Sequence, residues 1–385
     1  MKVAFKSTFL FFLFFNLSII CNSQQKLLTA AEQFPKYIKF LENENVGIVA
    51  NKASFVYKNN HIVDSLISLG IIIKKVFVPE HGFRVSGDAG EKILDQKDSK
   101  TNIPIISLYG DQKKPNDNHL KGISIMVFDL QDVGVRFYTY ISTLHYIMEA
   151  CAENNIPLIV LDRPNPNAHF IDGPVLEKDC KSFVGMHPVP IVYGMTIGEY
   201  ARMINGEGWL KNKIKCPLRV IKIKNYKHNT NYELPYRPSP NLPNSKAIAL
   251  YPSLCLLEPT AISVGRGTEM QFQVFGHPDL PKSKFTFIPI PNFGAKNPKL
   301  VNQLCNGVDL RDQASPNKIE LKWIIGCYKN FPKSKNFFKD GFFRIAGTKK
   351  LKNQIELGMN ENDIRKTWEE DLKNFRKTRL KYLLY

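Results

Sequence analysis

The chain lacks several signatures that would place it quickly. No C-x-x-C occurs among its seven cysteines, which argues against a zinc ribbon or a thioredoxin-type redox site. No G-x-G-x-x-G follows the first apolar run, and neither G-x-x-x-x-G-K-[ST] nor G-x-S-x-G is present. Dinucleotide, P-loop and nucleophile-elbow chemistries therefore have no sequence support, and no cofactor is expected. Internal repeats are not evident. Past the first twenty or so residues no apolar stretch is long enough to cross a bilayer, so no stable membrane insertion is expected. The lysines behind the formal net charge of +18 are scattered, without a basic low-complexity arm or a nucleic-acid motif. Nucleic acid is not the expected partner; an anionic envelope polymer or surface fits an exported basic protein better.

Export is read from the start. Lys2 and Lys6 precede an apolar stretch from Phe9 to Ile20, and Ser23 precedes Gln24, the pattern of a secretory signal over residues 1–23. Ile20 is bulkier than lipobox processing accepts before Cys21, which disfavours a lipoprotein. The expected location is periplasmic or extracellular, where the six remaining cysteines are permitted to form disulfides.

With 385 residues, 43% hydrophobic and 23% charged, the mature chain can bury a large core divided between two domains. Five β-branched-rich runs punctuate its first half: Val46 to Ala50, Ile71 to Val78, Ile103 to Leu108, Ile123 to Leu130 and Ile156 to Leu161. Several are continuous rather than alternating, as strands buried on both faces of a parallel sheet are. Helical patterns lie between them at His61 to Leu69 and Thr139 to Asn154, giving a doubly wound α/β domain over 24–168. Beyond about residue 170 proline becomes frequent and the rhythm weakens, so 169–385 reads as a second α+β domain. Helices are expected there at Thr196 to Asn205, with a Thr196/Glu199 capping box, and at Glu361 to Leu380.

An open parallel sheet gathers the C-terminal ends of its strands on one edge, where ligands bind. The first run delivers Asn51 there. The second delivers Glu80, His81 and Arg84, the fourth Asp129, Asp132, Arg136 and Tyr138, and the fifth Arg163. From the second half come Asn241, in a stiff Pro-Ser-Pro-Asn-Leu-Pro loop, and Glu258, Arg266 and Glu269. Glycoside hydrolysis requires a proton donor and a second carboxyl or water-activating group about 5–10 Å away. Glu80, flanked by Pro79 and Phe83, is the candidate acid. Asp129, Asp132 and Glu258 are unranked candidates for the second group. Asp132 reads equally well as a helix cap, and Arg136 as its internal ion-pair partner.

These segments together resemble the NamZ-type exo-β-N-acetylmuramidases. The matching stretches are PEHGFR at Pro79 to Arg84, FDLQDVGVRFYTY at Phe128 to Tyr140, LDRPNP at Leu161 to Pro166, YGMTIGEYA at Tyr193 to Ala201, PSPNLP at Pro238 to Pro243 and GRGTE at Gly265 to Glu269. The resemblance implies a Rossmann-like domain joined to a smaller α/β domain, with the active site in the cleft between them. It implies Glu80 as the leading catalytic residue and peptidoglycan-derived muramyl glycans as substrate. Arg136, Arg163 or Arg266 would hold the lactyl carboxylate, with Asn51, His81, Arg84, Tyr138, Asn241 and Glu269 as further ligand contacts. The chain departs from the pattern where relatives have E-G-T-N and it has Glu258-Pro259-Thr260-Ala261, and where S-E-G-R-G-T is replaced by Ser263-Val264-Gly265-Arg266-Gly267-Thr268. Two other readings remain: a non-catalytic envelope-glycan binder, and a metal-dependent amide or ester hydrolase using His81 with Asp129 and Asp132. Oligomeric state is left open by the sequence.

Overall fold

A computed structural model describes residues 26–57, 60–80, 82–84 and 96–385. The expected signal at 1–23, including Cys21, and the candidate His81 lie outside these residues.

All five expected strands form. They are β1 (Asn45–Ala50), β4 (Ile72–Val78), β6 (Pro104–Ser107), β7 (Ile125–Asp129) and β8 (Leu158–Leu161), joined by an edge strand β5 (Gln96–Lys97) and by β9 (Leu218–Ile221). A two-residue pair, β2 (Phe55–Val56) and β3 (Asn60–His61), stands apart from this sheet. The order across the sheet is β5-β6-β4-β1-β7-β8-β9, parallel throughout except for β5. Numbered in chain order, the six parallel strands run 3-2-1-4-5-6, the doubly wound arrangement with its topological switch point between β1 and β7. β9 comes from beyond residue 168, so the sheet extends past the change in sequence texture. Its Leu-Arg-Val-Ile is too short and too half-polar a run to announce a strand; pairing with β8 along Leu158 to Leu161 makes it one.

The continuous apolar runs follow from burial on both faces. In β1, Ile48 and Ala50 pack on one side with Val76, Val78 and Val127. Val49 points the other way, with Phe77, Met126 and Phe128, into a larger cluster. That cluster includes α3 (Tyr140–Glu153), α4 (Ile197–Gly206) and α5 (Ser245–Leu254) and continues through Ile324 and Trp368 to Phe375, so both halves of the chain share one core. Helix α1 (Ile62–Ser68) covers the opposite face and α2 (Asp117–Leu120) is a single turn. The second half adds a three-stranded antiparallel sheet, β10 (Val274–His277), β12 (Cys305–Asp309) and β11 (Phe285–Phe287) in that spatial order.

The Thr196/Glu199 capping box is present at the start of α4. The helix expected over Glu361 to Leu380 is instead two, Glu361–Lys366 and Glu369–Leu380. At the break the Thr367 hydroxyl donates to the Ile364 carbonyl at 2.6 Å, a local bond that competes with helix continuation. The six described cysteines are buried free thiols. No helix among the described residues is long and apolar enough to cross a membrane.

Candidate active site

The switch point brings Asn51 and Glu80 together with two tyrosines. Asn51, one residue past β1, donates through Nδ2 to the Tyr140 hydroxyl at 2.7 Å and accepts the Ala53 N–H at 3.0 Å through Oδ1. Glu80, two residues past β4, is half-buried and hydrogen-bonded to Tyr109. Burial pushes the Tyr140 phenol well above its ordinary value, and the nearby Glu80 charge adds to the rise. Tyr109 rises for the same two reasons, so both phenols stay protonated donors at neutral pH.

Beside this group lies a cleft of about 230 Å³, lined by residues that include Asn51, Lys52, Phe55, Gly82, Tyr236, Arg237, Pro238 and Phe293. Phe55 and Tyr236 stack at 4.1 Å and Phe293 is 55% exposed. Flat apolar faces interleaved with amide, phenol and cationic groups suit a ring with polar substituents.

Most of the other sequence candidates form the framework behind that surface. Asp129, the last residue of β7, is fully buried and paired bidentately with Arg163, at 2.6 Å from Nε and 2.8 Å from Nη2. The same guanidinium donates to the Phe55 carbonyl at 3.2 Å, so this ion pair supports the cleft's aromatic wall. Tyr138 donates to the Pro238 carbonyl at 2.7 Å, fixing the proline-rich loop. Asn241 donates to the Gly294 carbonyl at 2.7 Å. Gly267 accepts the Ile290 N–H at 2.8 Å, and the Thr268 carbonyl accepts from Asn292 at 3.1 Å. The Gly265 to Glu269 and Pro238 to Pro243 segments therefore hold the loop that carries Phe293.

Arg266 and Glu258 are half-buried and pair with each other at 2.8 Å. Lys299 binds the Glu258, Thr260 and Ile262 carbonyls at 2.8 Å each. Arg84 is held between two carboxylates, Asp64 at 2.7 Å and Asp98 at 2.7 Å. Glu269 is exposed. At the two departures from the family pattern, Ala261 and Val264 are buried in the main apolar cluster, where an acidic side chain would be costly.

Asp132 and Arg136 are not an ion pair. Arg136 is fully buried and donates to four main-chain carbonyls, Pro174 and Val189 at 2.8 Å and Ile345 and Ala346 at 3.2 and 2.8 Å. Burial lowers its pKa to about 10. Asp132 accepts the Tyr193 hydroxyl and, at 2.9 Å, the Gly134 N–H through Oδ2, while Oδ1 has no partner among the described residues. Burial pushes its carboxyl up to about 6 against the opposing hydrogen bonds from Tyr193 and from the Gly134 and Val133 amides. For metal chemistry, no group of three or more His, Cys, Asp or Glu side chains among the described residues is placed to hold an ion.

Sequence reasoning passed over Tyr109, Tyr140, Lys52, Arg237 and Phe293. The rule that strand ends build the site reaches Tyr109, two residues past β6, and Lys52, two past β1. Arg237 and Phe293 enter through tertiary loop packing, which no local pattern announces.

Fold and site together define a two-part α/β protein with a carboxyl, an amide and phenols at its switch point where dinucleotide binders carry glycines. The profile described as exo-beta-N-acetylmuramidase NamZ, N-terminal, matches residues 46–246, and its C-terminal counterpart matches 249–385. The chain is 38% identical over 373 residues to the peptidoglycan beta-N-acetylmuramidase NamZ of Bacillus subtilis, spanning 91% of this chain and 89% of that one. Among solved structures, one DUF1343 family protein from Bacteroides fragilis superposes with a TM-score of 0.87 at 42% identity, covering 94% of this chain and 99% of that one. A second from the same organism gives 0.80 at 29%, covering 93% and 99%. The chain belongs to the NamZ family of exo-β-N-acetylmuramidases, a family of glycoside hydrolases.

Proposed function

We propose that this protein is an exported, exo-acting β-N-acetylmuramidase that hydrolyses terminal β-linked N-acetylmuramic acid from peptidoglycan fragments, with Glu80 as general acid. The observation that carries the reading is Glu80's position at the C-terminal edge of β4, hydrogen-bonded to Tyr109 and close to Tyr140, in a chain matched along most of its length by a peptidoglycan muramidase. A carboxylic acid at the edge of a cleft is the group that glycoside hydrolysis uses to deliver a proton to the glycosidic oxygen as the bond breaks. Of the three candidates for the second group, Asp129 and Glu258 are each held by an arginine. Asp132 keeps a free carboxylate oxygen but is closed to solvent, and its charge acts on the Tyr138 and Tyr140 phenols. Its hydrogen bonds go to Tyr193 and the Gly134 amide, which makes it part of the framework behind the site.

The test is release of chromophore from an aryl β-N-acetylmuramide and from the matching β-N-acetylglucosaminide, with and without chelator. Chelator-resistant release from the muramide alone is expected, and chelator-sensitive release would favour a metal-dependent hydrolase. Glu80→Gln should lower kcat by about 10²-fold or more while leaving the unfolding midpoint in place. Near wild-type turnover in that variant would remove Glu80 as the acid.

A further inference from the structure

The lactyl carboxylate separates muramic acid from N-acetylglucosamine, and a site specific for the former needs a cation free to meet it. The arginines expected in that role are otherwise engaged. Arg136 is buried among carbonyls, Arg163 is bound to Asp129 and Arg266 to Glu258. The cleft beside Glu80 is instead lined by two exposed cations, Lys52 and Arg237. Lys52 lies over the Phe293 ring, 5.9 Å from its centroid.

Arg237 combines an anchored base with an exposed side chain. Its neighbour Tyr236 is stacked on Phe55 at 4.1 Å, and the carbonyl of its other neighbour, Pro238, accepts the buried Tyr138 hydroxyl at 2.7 Å. Phe55 is itself tied back through its carbonyl to the buried Arg163. Both flanks of Arg237 are thus anchored to the parallel sheet's C-terminal edge, while Arg237 itself is exposed and lines the cleft. Among the described residues its guanidinium has no hydrogen-bond or ion-pair partner, and a planar fork on a preorganised backbone is how proteins hold a carboxylate bidentately at low ordering cost.

We propose that Arg237, with Lys52 as the second positive charge, binds the lactyl carboxylate of the muramyl residue and sets the preference for muramide over glucosaminide. This rests on the muramidase reading above. The test compares an aryl β-N-acetylmuramide with its lactyl methyl ester on wild type, Arg237→Gln and Arg237→Lys. In the wild type, esterification should lower kcat/KM by about 10- to 100-fold, chiefly through KM, as losing a charged hydrogen-bond pair does. Arg237→Gln should lose a similar factor on the acid and treat acid and ester alike; Arg237→Lys should recover part of the preference. All three should share one unfolding midpoint, since the side chain is exposed. An Arg237→Gln enzyme that keeps the wild-type acid-over-ester ratio overturns this inference and leaves the muramidase reading standing. A folded wild type that cleaves neither compound overturns both.

Discussion

Asp132 is the residue whose chemistry most depends on its surroundings. Its carboxyl is held at about 6 rather than the ordinary 3.8 because burial penalises the charged form more than Tyr193 and Gly134 favour it. The folded state then binds this proton more tightly than the unfolded state. The contribution to stability is fully present below about 3.8 and is lost as pH rises through about 6. At roughly 1.4 kcal/mol per pH unit, the loss between those values is on the order of 3 kcal/mol. Urea midpoints measured at pH 4 and pH 7 should fall across that interval more steeply in the wild type than in Asp132→Asn. Parallel profiles for the two proteins would show that Asp132 ionises without cost.

At the scale of elements, one buried guanidinium helps tie the two halves together. Arg136 sits just after β7 and reaches the last carbonyls of the helix Phe342–Ala346, where Gly347 follows with φ +80°. A Cβ at Gly347 would lie 2.0 Å from Arg136 Nη2, in a backbone conformation that L residues rarely adopt. Gly347→Ala should therefore destabilise by about 2 kcal/mol or more through strain and displacement of the buried arginine. Arg136→Ala, which strands four carbonyls, should cost at least about 3 kcal/mol. Denaturant titration checks both; an unchanged midpoint in either variant would show that the contact across the halves is dispensable. Within the second half, Arg365 ties the first of the two C-terminal helices to Asp172 at 2.9 Å.

For the whole molecule, one apolar cluster passes from the parallel sheet through α3, α4 and α5 to the C-terminal helices. Neither half closes its core without the other, so unfolding should be a single cooperative transition. The six described cysteines are free and buried, and burial pushes the Cys216 and Cys327 thiols up to about 12, which keeps them as unreactive thiols at neutral pH. Adding a reductant should leave the thermal midpoint unchanged, and a drop of several degrees would reveal a disulfide.

What the sequence determined by itself is the doubly wound half: short, continuous Val/Ile-rich runs alternating with helical patterns fit strands buried on both faces of a parallel sheet, and the C-terminal ends of such strands share an edge, which puts Asn51, Glu80, Asp129 and Arg163 on one side of the sheet. Strand β9 escaped because its half-polar residues show no period until β8 pairs with them. Tertiary structure alone decided which charges line the cleft and which pair with each other. Arginines and carboxylates read alike in sequence, but buried charge must find a partner. Asp129 therefore took Arg163, Glu258 took Arg266, and Arg84 took two aspartates, leaving the cleft beside Glu80 to Asn51 and to the exposed cations Lys52 and Arg237.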